Sequence, residues 1–234
     1  MTSPAERGRS NRSAPVEVDY QALFSVKITQ IQMLRDRGYQ ITDNEAAVLT
    51  LDLDGFIDYY TKVAELNKCS FRSALTSVYT TPDGGKRAIV YYARPPAGKN
   101  LTTEEVNLFI STFSAETPPY DTAILITPLT LIANARERLE LLITVSIEVF
   151  LDKQLVSNVT HNKWVPQHEL VPAAEVPDLL KRLRATFNQL PIIKKDDPVV
   201  RYYGWRPGGI VKIYRKMYVL DVLCQSTIFY RAIV

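Results

Sequence analysis

Asp52 and Asp54 are the residues whose types and spacing most invite chemistry. They sit in LDLDGFIDYY, residues 51–60, close behind the apolar run Ala46-Ala47-Val48-Leu49. Two carboxylates two positions apart could divide the work of nucleophile and of acid and base. The other candidates are the two histidines, His161 and His168. Two imidazoles without a nearby carboxylate or thiol trio make a poor metal site. A structural role, bonding turn backbone through the ring nitrogens, suits them better. No Ser-His-Asp grouping has a local motif, and no Gly-rich phosphate loop is present.

An apolar run leading into Asp52-x-Asp54 resembles the first motif of the haloacid-dehalogenase phosphatases, where one Asp attacks phosphorus and the second serves as acid and base. The rest of that pattern does not follow. It requires Thr or Val two residues after the second Asp, and Phe56 stands there. It also requires a later acidic pair behind a buried strand. Lys195-Asp196-Asp197 offers the pair, but Ile192-Ile193 is too short an apolar run to be that strand. Asp52 or Asp54 reads instead as a carboxylate at a helix N-terminus, the helix continuing through FIDYYTKVAEL. There it accepts backbone N–H bonds and favours the dipole, worth roughly 0.5–2 kcal/mol.

The elements around these residues belong to an ordinary soluble composition, 46% hydrophobic and 23% charged over 234 residues. That is enough for one large domain or two small ones with a real core. No apolar run approaches the roughly 18–20 residues that span a bilayer, so no membrane is expected. The polar N-terminus, residues 1–18, reads as a disordered tail and not as a secretory signal. Cys69 and Cys224 stand alone and far apart, which argues for a reducing compartment and against structural zinc or a disulfide framework. No cofactor is implied. Charge is uneven: residues 153–234 carry 13 Lys+Arg against 6 Asp+Glu, and residues 1–152 carry 15 against 19. An acidic part joined to a basic part suggests two domains.

Helical spacing of Tyr20, Leu23, Phe24, Lys27-Ile28, Ile31 and Leu34 predicts a helix from about Tyr20 to Arg37, stopped by Gly38. Thr42-x-x-Glu45 and Thr102-x-x-Glu105 have the form of capping boxes. ALTSVYT and RAIVYYA flank the turn TPDGG. An amphipathic helix to about Phe113, the strand TAILIT, the helix LIANARERLELL and the strand TVSIEVFL follow. This alternation predicts a small α/β sheet with parallel strands, ending near Leu151. Beyond it, NVTHNKWVPQHELVP looks irregular, and PAAEVPDLLKRLRAT looks helical with Pro177 in its first turn. Asp197-Pro198-Val-Val-Arg201-Tyr202-Tyr-Gly204 has the grammar of a very short helix, with Asp197 as N-cap, Pro198 first and Gly204 as the left-handed stop. GGIVKIYR and TIFYRAIV read as strands. Trp164 and Trp205 are either interface anchors or partly buried core residues.

Six segments of the C-terminal third carry a resemblance. They are Asn158-Val-Thr-His161, Val165-Pro166-Gln-His168, Gln189-Leu-Pro191, Asp197-Pro198-Val-Val-Arg201-Tyr202-Tyr-Gly204, Gly208-Gly-Ile-Val-Lys212-Ile and Tyr230-Arg231. In order and spacing they resemble the fifth subunit of eukaryotic nuclear RNA polymerases, whose archaeal counterpart is the C-terminal domain alone. Met33-Leu-Arg-Asp-Arg-Gly-Tyr39 followed by Ile41-Thr42 looks like that family's N-terminal motif, and the two-part form is the eukaryotic or viral one.

The resemblance implies an α/β N-terminal "jaw" domain, residues 19–150, near downstream duplex DNA. It implies a small mixed α+β assembly domain, residues 151–234, clamped onto the largest catalytic subunit. It further implies no chemistry in this chain, other polymerase subunits as partners, and the nucleus, or the nucleolus for a copy dedicated to RNA polymerase I. The motif residues above would form the assembly surface or hold its fold. The family's DNA-proximal loop has no clean counterpart; its candidates are Thr127-Pro128-Leu-Thr130 and Leu131-Ile-Ala-Asn134, with Arg136 and Arg138 on the next helix available to phosphates. The chain departs from the family where Pro207 and Gly209 replace Arg and Gln or Glu. It departs again where the apolar run Met217–Cys224 replaces a polar loop; either the run extends the strands on both sides and packs internally, or, the reading favoured here, it is an exposed segment docking onto a partner. A free-standing transcription adaptor of the same fold is the alternative, and the phosphatase is the distant one.

Overall fold

The computed structural model describes residues 19–94, 100–114, 116–219 and 222–234, with the backbone alone at 216–219 and 222–226. The expected disordered tail and the side chains of the 217–224 segment therefore lie outside the described residues. In chain order the elements are α1 (Tyr20–Asp36), α2 (Asp43–Val48), α3 (Leu53–Leu66), α4 (Phe71–Ala74), β1 (Ser77–Thr80), β2 (Arg87–Tyr92), α5 (Thr103–Ser114), β3 (Thr122–Thr127), α6 (Ala133–Glu140), β4 (Ser146–Leu151), α7 (Asp152–Leu155), β5 (Gln167–Leu170), α8 (Val176–Leu183), β6 (Ile192–Ile193), α9 (Pro198–Tyr203), β7 (Ile210–Val219) and β8 (Val222–Ile233). Contacts divide them into two units. One comprises the chain up to Ile28 and Thr42–Val156; the other comprises Thr29–Ile41 and Ser157–Val234. Sequence order alone assigns residues 29–41 to the first part; their contacts group them with the second.

The first unit holds a sheet of order β1-β2-β3-β4. β2, β3 and β4 run parallel, and β1 pairs antiparallel with β2 across the TPDGG turn. Within β2 and β3, Ala88–Tyr92 and Ala123–Ile126 are continuous, buried apolar runs because both faces of a parallel sheet are covered. Ile89, Tyr91, Ala123 and Leu125 pack on Val106, Phe109 and Phe113 of α5 and on Ala135 and Leu139 of α6. The opposite face carries Tyr92, with Lys27 Nζ and Arg72 Cζ each 5.8 Å from its ring centroid. Beside it, Phe24 and Phe71 surround Phe56 at centroid distances of 5.0 and 5.9 Å.

Two ion pairs are buried in this unit. Lys27, fully enclosed, meets Glu45 at 3.2 Å, the Leu75 carbonyl at 3.0 Å and Ser77 Oγ at 2.6 Å. Glu45 also accepts from the Tyr79 hydroxyl. Thr42 does cap α2 through the Glu45 N–H, but the Glu45 carboxylate turns inward to Lys27 and does not close a capping box. Burial pulls the Lys27 ammonium from 10.5 down to about 8, with Glu45 opposing the shift. Between those values the unfolded chain holds the proton and the folded chain does not, so this group makes stability rise with pH from about 8 toward 10.5. Lys27→Met should cost on the order of 3–5 kcal/mol by stranding Glu45, and Lys27→Met with Glu45→Gln should recover most of it. Urea unfolding at pH 7.5 and about 9.5 checks both points: wild type should gain stability relative to the double variant at the higher pH. Equal pH dependence in the two proteins would remove Lys27 as the cause.

The second pair sits where parallel strands end. Arg72 donates to the carbonyls of Ala93 (2.7 Å) and Ile126 (3.4 Å) and grips Asp152 with two bonds of 2.6 and 2.8 Å. The carboxyl ends of parallel strands are where open α/β sheets usually bind ligands. Here a buried guanidinium fills that position at β2 and β3.

The second unit holds a sheet of order β5-β7-β8-β6. β7 pairs antiparallel with β5 and β8, and β6 runs parallel to β8. One face packs Val200, Val211, Ile213, Ile193 and Ile233. The other packs Leu179 of α8 with Leu190, Ile210 and Ala232. Three expectations are corrected. The stretch read as irregular contains β5, four residues whose polar Gln167, His168 and Glu169 gave no apolar alternation. The helix read over PAAEVPDLLKRLRAT is regular only from Val176 to Leu183, because Arg184 turns left-handed (φ 51°) and closes it. Where it is described, the segment expected as a docking loop is strand, the other alternative: the backbone of 217–219 and 222–224 extends β7 and β8, pairing Met217 with Gln225 and Val219 with Val222 past an irregularity at Met217/Tyr218.

Candidate assembly site

Asp52 fulfils the expectation of a cap. It is the N-cap of α3, its Oδ1 accepting the Gly55 N–H at 2.9 Å. A Cβ on Gly55 would lie 2.9 Å from that same oxygen, which accounts for the glycine in LDLDG. Asp54 occupies the first turn of the helix, and Phe56 is fully buried. Asp52→Asn should change stability by no more than about 0.5 kcal/mol, because Asn caps as well, while Asp52→Ala should cost about 1 kcal/mol. Urea melts check the order; a phosphate-release activity abolished by Asp52→Asn would restore the phosphatase reading.

The residues singled out in the C-terminal third gather around α9. Asp197 caps it, accepting from Val199 N–H at 2.9 Å, and Pro198 is its first residue. At the other end Gly204 is left-handed (φ 66°). The Gly204 N–H reaches the Arg201 carbonyl at 3.1 Å and the Trp205 N–H reaches Val200 at 3.1 Å, a Schellman closure. The end of α1 closes the same way at Gly38 (φ 87°), through Gly38 N–H to Arg35 and Tyr39 N–H to Leu34.

The two closures meet. Arg37 donates from Nε to the Tyr202 carbonyl (2.8 Å) and from Nη2 to the Arg201 carbonyl (2.7 Å), adding a second donor to the Arg201 oxygen that already accepts from Gly204. The buried Tyr202 donates its hydroxyl proton to Asp36 (2.8 Å) and accepts from Asn158 Nδ2 (3.0 Å), which also donates to Gln32 (2.8 Å). Burial and Asp36 push the Tyr202 hydroxyl well above its usual range. Asp36-Arg37-Gly38, 164 residues earlier in the chain, is therefore one construction with Arg201–Gly204. The sequence shows both motifs but not their union. Arg37, Asp36, Gln32, Arg72 and Lys27 were missed as structural polar residues; only the odd polarity of Lys27 within an apolar helix stripe signalled one of them.

The remaining motif residues have diverse places. His168, half-buried on β5, donates from Nδ1 to the Pro166 carbonyl at 2.6 Å, and burial holds its imidazole below the usual histidine range. Val165 and Pro166 are half-buried just before it, whereas His161 is exposed at the end of a short 3-10 turn. Pro191 presents its carbonyl to the Ala232 N–H (2.9 Å), and Gly208 (φ 92°) donates to Ile233 (3.0 Å). Lys212 and Tyr230 face each other across β7 and β8, and Arg231 reaches the Ile192 carbonyl at 3.3 Å. Arg201 is half-buried on α9. Gly209 is tight here: a Cβ would meet Leu170 Cδ1 at 3.0 Å and Ile233 Cδ1 at 3.2 Å, so a longer residue needs those neighbours to shift.

In the first unit Thr127 is buried and bonds the Leu129 carbonyl at 2.9 Å, Pro128 is half-buried, and Arg136 and Arg138 are exposed on α6. Trp164 is 81% exposed, while Trp205 stacks on Tyr203 at 4.5 Å. Among the described residues no group of three His, Cys, Asp or Glu is placed to hold a metal ion, and no helix is long and apolar enough to cross a membrane.

Comparison with known proteins matches both parts. The model for the RNA polymerase Rpb5 N-terminal domain matches residues 17–113, and that for the RNA polymerase Rpb5 C-terminal domain matches residues 157–233. The chain is 31% identical over 195 residues to DNA-directed RNA polymerase subunit 5-like protein 1 of Arabidopsis thaliana, covering 82% of this chain and 88% of that one. It is 28% identical over 207 residues to the RPABC1 subunit of DNA-directed RNA polymerases I, II and III of Caenorhabditis elegans, covering 85% and 91%. It is 28% identical over 183 residues to DNA-directed RNA polymerase V subunit 5A of Arabidopsis thaliana, covering 78% and 77%. Neither the phosphatase nor the free-standing adaptor finds support among these matches. With both family domains in order along it, and at this identity to a relative over most of its length, the chain belongs to the RNA polymerase Rpb5 family.

Proposed function

We propose that this chain is a non-catalytic subunit of a nuclear DNA-directed RNA polymerase and acts in transcription as part of that multisubunit enzyme. The observation that carries the reading is the presence of both Rpb5 domains in order. The buried polar groups support it. The positions whose residue types invite chemistry are engaged in capping helices, closing turns and bridging strands. In this reading residues 19–150 form the jaw beside downstream duplex DNA, and residues 151–234 form the domain that holds the largest catalytic subunit. Depleting an extract with an antibody to this chain should remove template-dependent RNA synthesis along with it; undiminished synthesis after complete depletion would refute membership. In the purified enzyme, Arg136→Glu with Arg138→Glu should reduce photo-crosslinking of the chain to downstream duplex several-fold, because exposed cations meet phosphates. Unchanged crosslinking would remove α6 from the DNA path. A nucleolar location follows for a copy dedicated to RNA polymerase I, and immunofluorescence with a nucleolar marker decides it.

A further inference from the structure

β5 is the outer strand of its sheet. The Val171 N–H donates to the Ile210 carbonyl at 2.9 Å, so Glu169 and Gln167, at the same parity, also turn their backbone groups to β7. The N–H and C=O of His168 and Leu170 then point to the open side, and no described residue takes them up. An open strand edge is a template for another strand.

This edge does not face plain solvent. It runs along a cavity of about 850 Å³ within the second unit. One wall is the start of α8, with Asp178 on the helix and Glu175 just before it; the other carries Asp36 and the stacked pair Tyr203–Trp205. Glu169 lies on the edge strand itself. Four carboxylates, Asp36, Glu169, Glu175 and Asp178, line the cavity against two permanent cations, Arg182 and Lys212. The groove is thus acidic inside a chain segment that is basic overall. Its aromatic pair offers a flat face to a guanidinium or an aliphatic stem.

We propose that this groove binds an extended, Lys- or Arg-bearing segment of a partner protein, added as a strand along the outer edge of β5. The main-chain bonds to His168 and Leu170 supply register, and the carboxylates select cationic side chains at alternate positions. The inference goes beyond the subunit reading and stands without it, since it rests on the edge, the walls and their charge.

The test uses the full-length chain and a fluorescein-labelled ten-residue peptide alternating Lys and Val, followed by fluorescence anisotropy. Saturable binding is expected, at least tenfold tighter than that of a peptide alternating Glu and Val. N-methylation of alternate peptide nitrogens, in whichever register carries the edge bonds, should weaken it at least tenfold. Glu175→Lys with Asp178→Lys, exposed positions just before α8 and in its first turn, should weaken it similarly. Hydrogen exchange on the unmodified protein should slow at His168 and Leu170 when the Lys/Val peptide is present. Equal binding of the two peptides, indifference to N-methylation in both registers, or unchanged exchange at His168 and Leu170 would each overturn the proposal. The exchange measurement keeps the test decisive should the double variant fail to fold.

Discussion

Arg72→Ala should destabilise the chain by on the order of 3–5 kcal/mol, a loss as large as that expected for Lys27→Met. The guanidinium is 6% exposed and supplies four bonds, two to strand-end carbonyls and two to Asp152. Removing it strands a partly buried carboxylate and leaves the Ala93 and Ile126 carbonyls without this donor at once. Arg72→Lys should recover little, since a single ammonium cannot reproduce the planar fork that spans Ala93 and both Asp152 oxygens. Urea unfolding monitored by circular dichroism checks the series. Near-native stability of Arg72→Ala would mean that the strand ends hold without their plug.

Gly204→Val is the second large effect. At φ 66° and ψ 27° the residue occupies the left-handed region, where a β-branched side chain is a genuine outlier. The substitution should cost on the order of 3 kcal/mol, Gly204→Ala on the order of 1–2 kcal/mol and Gly204→Asn less again. The order tests the cause. A cost set by side-chain volume would place Asn well above Ala; a cost set by backbone conformation places it below. The damage should extend beyond the turn, because the carbonyls that Arg37 holds belong to the same closure.

Much of this architecture was legible because local rules and tertiary demands agreed. Asp197-Pro198 and Gly204 announced a capped helix six residues long, and the structure has it. RAIVYYA beside the TPDGG turn announced a hairpin strand, and TAILIT a short buried strand, and both are strands of the first sheet. β5 was illegible for the opposite reason. Its residues are QHEL, and its strand character comes from the β7 ladder and not from its own side chains. The apolar character of 217–224 left strand extension and docking both open, and the β7–β8 register carries the pairing through to Val219 and Val222. The candidate site was half legible. Its motif residues could be named, but Asp36-Arg37 and Arg201-Tyr202 are over 160 residues apart, and only the folded chain shows that one motif caps the other. Buried charges such as Lys27 and Arg72 escape a reading by pattern, since a polar residue on an apolar stripe is an exception to the periodicity that defines the stripe.

The most direct test of the central claim is affinity purification of the tagged full-length chain from its own cells at physiological salt, with the recovered proteins identified by mass spectrometry. The largest catalytic subunit of a DNA-directed RNA polymerase is expected, recovered near one-to-one with the tagged chain and accompanied by other polymerase subunits. Recovery of the chain alone, or only with proteins that are not polymerase subunits, would contradict it.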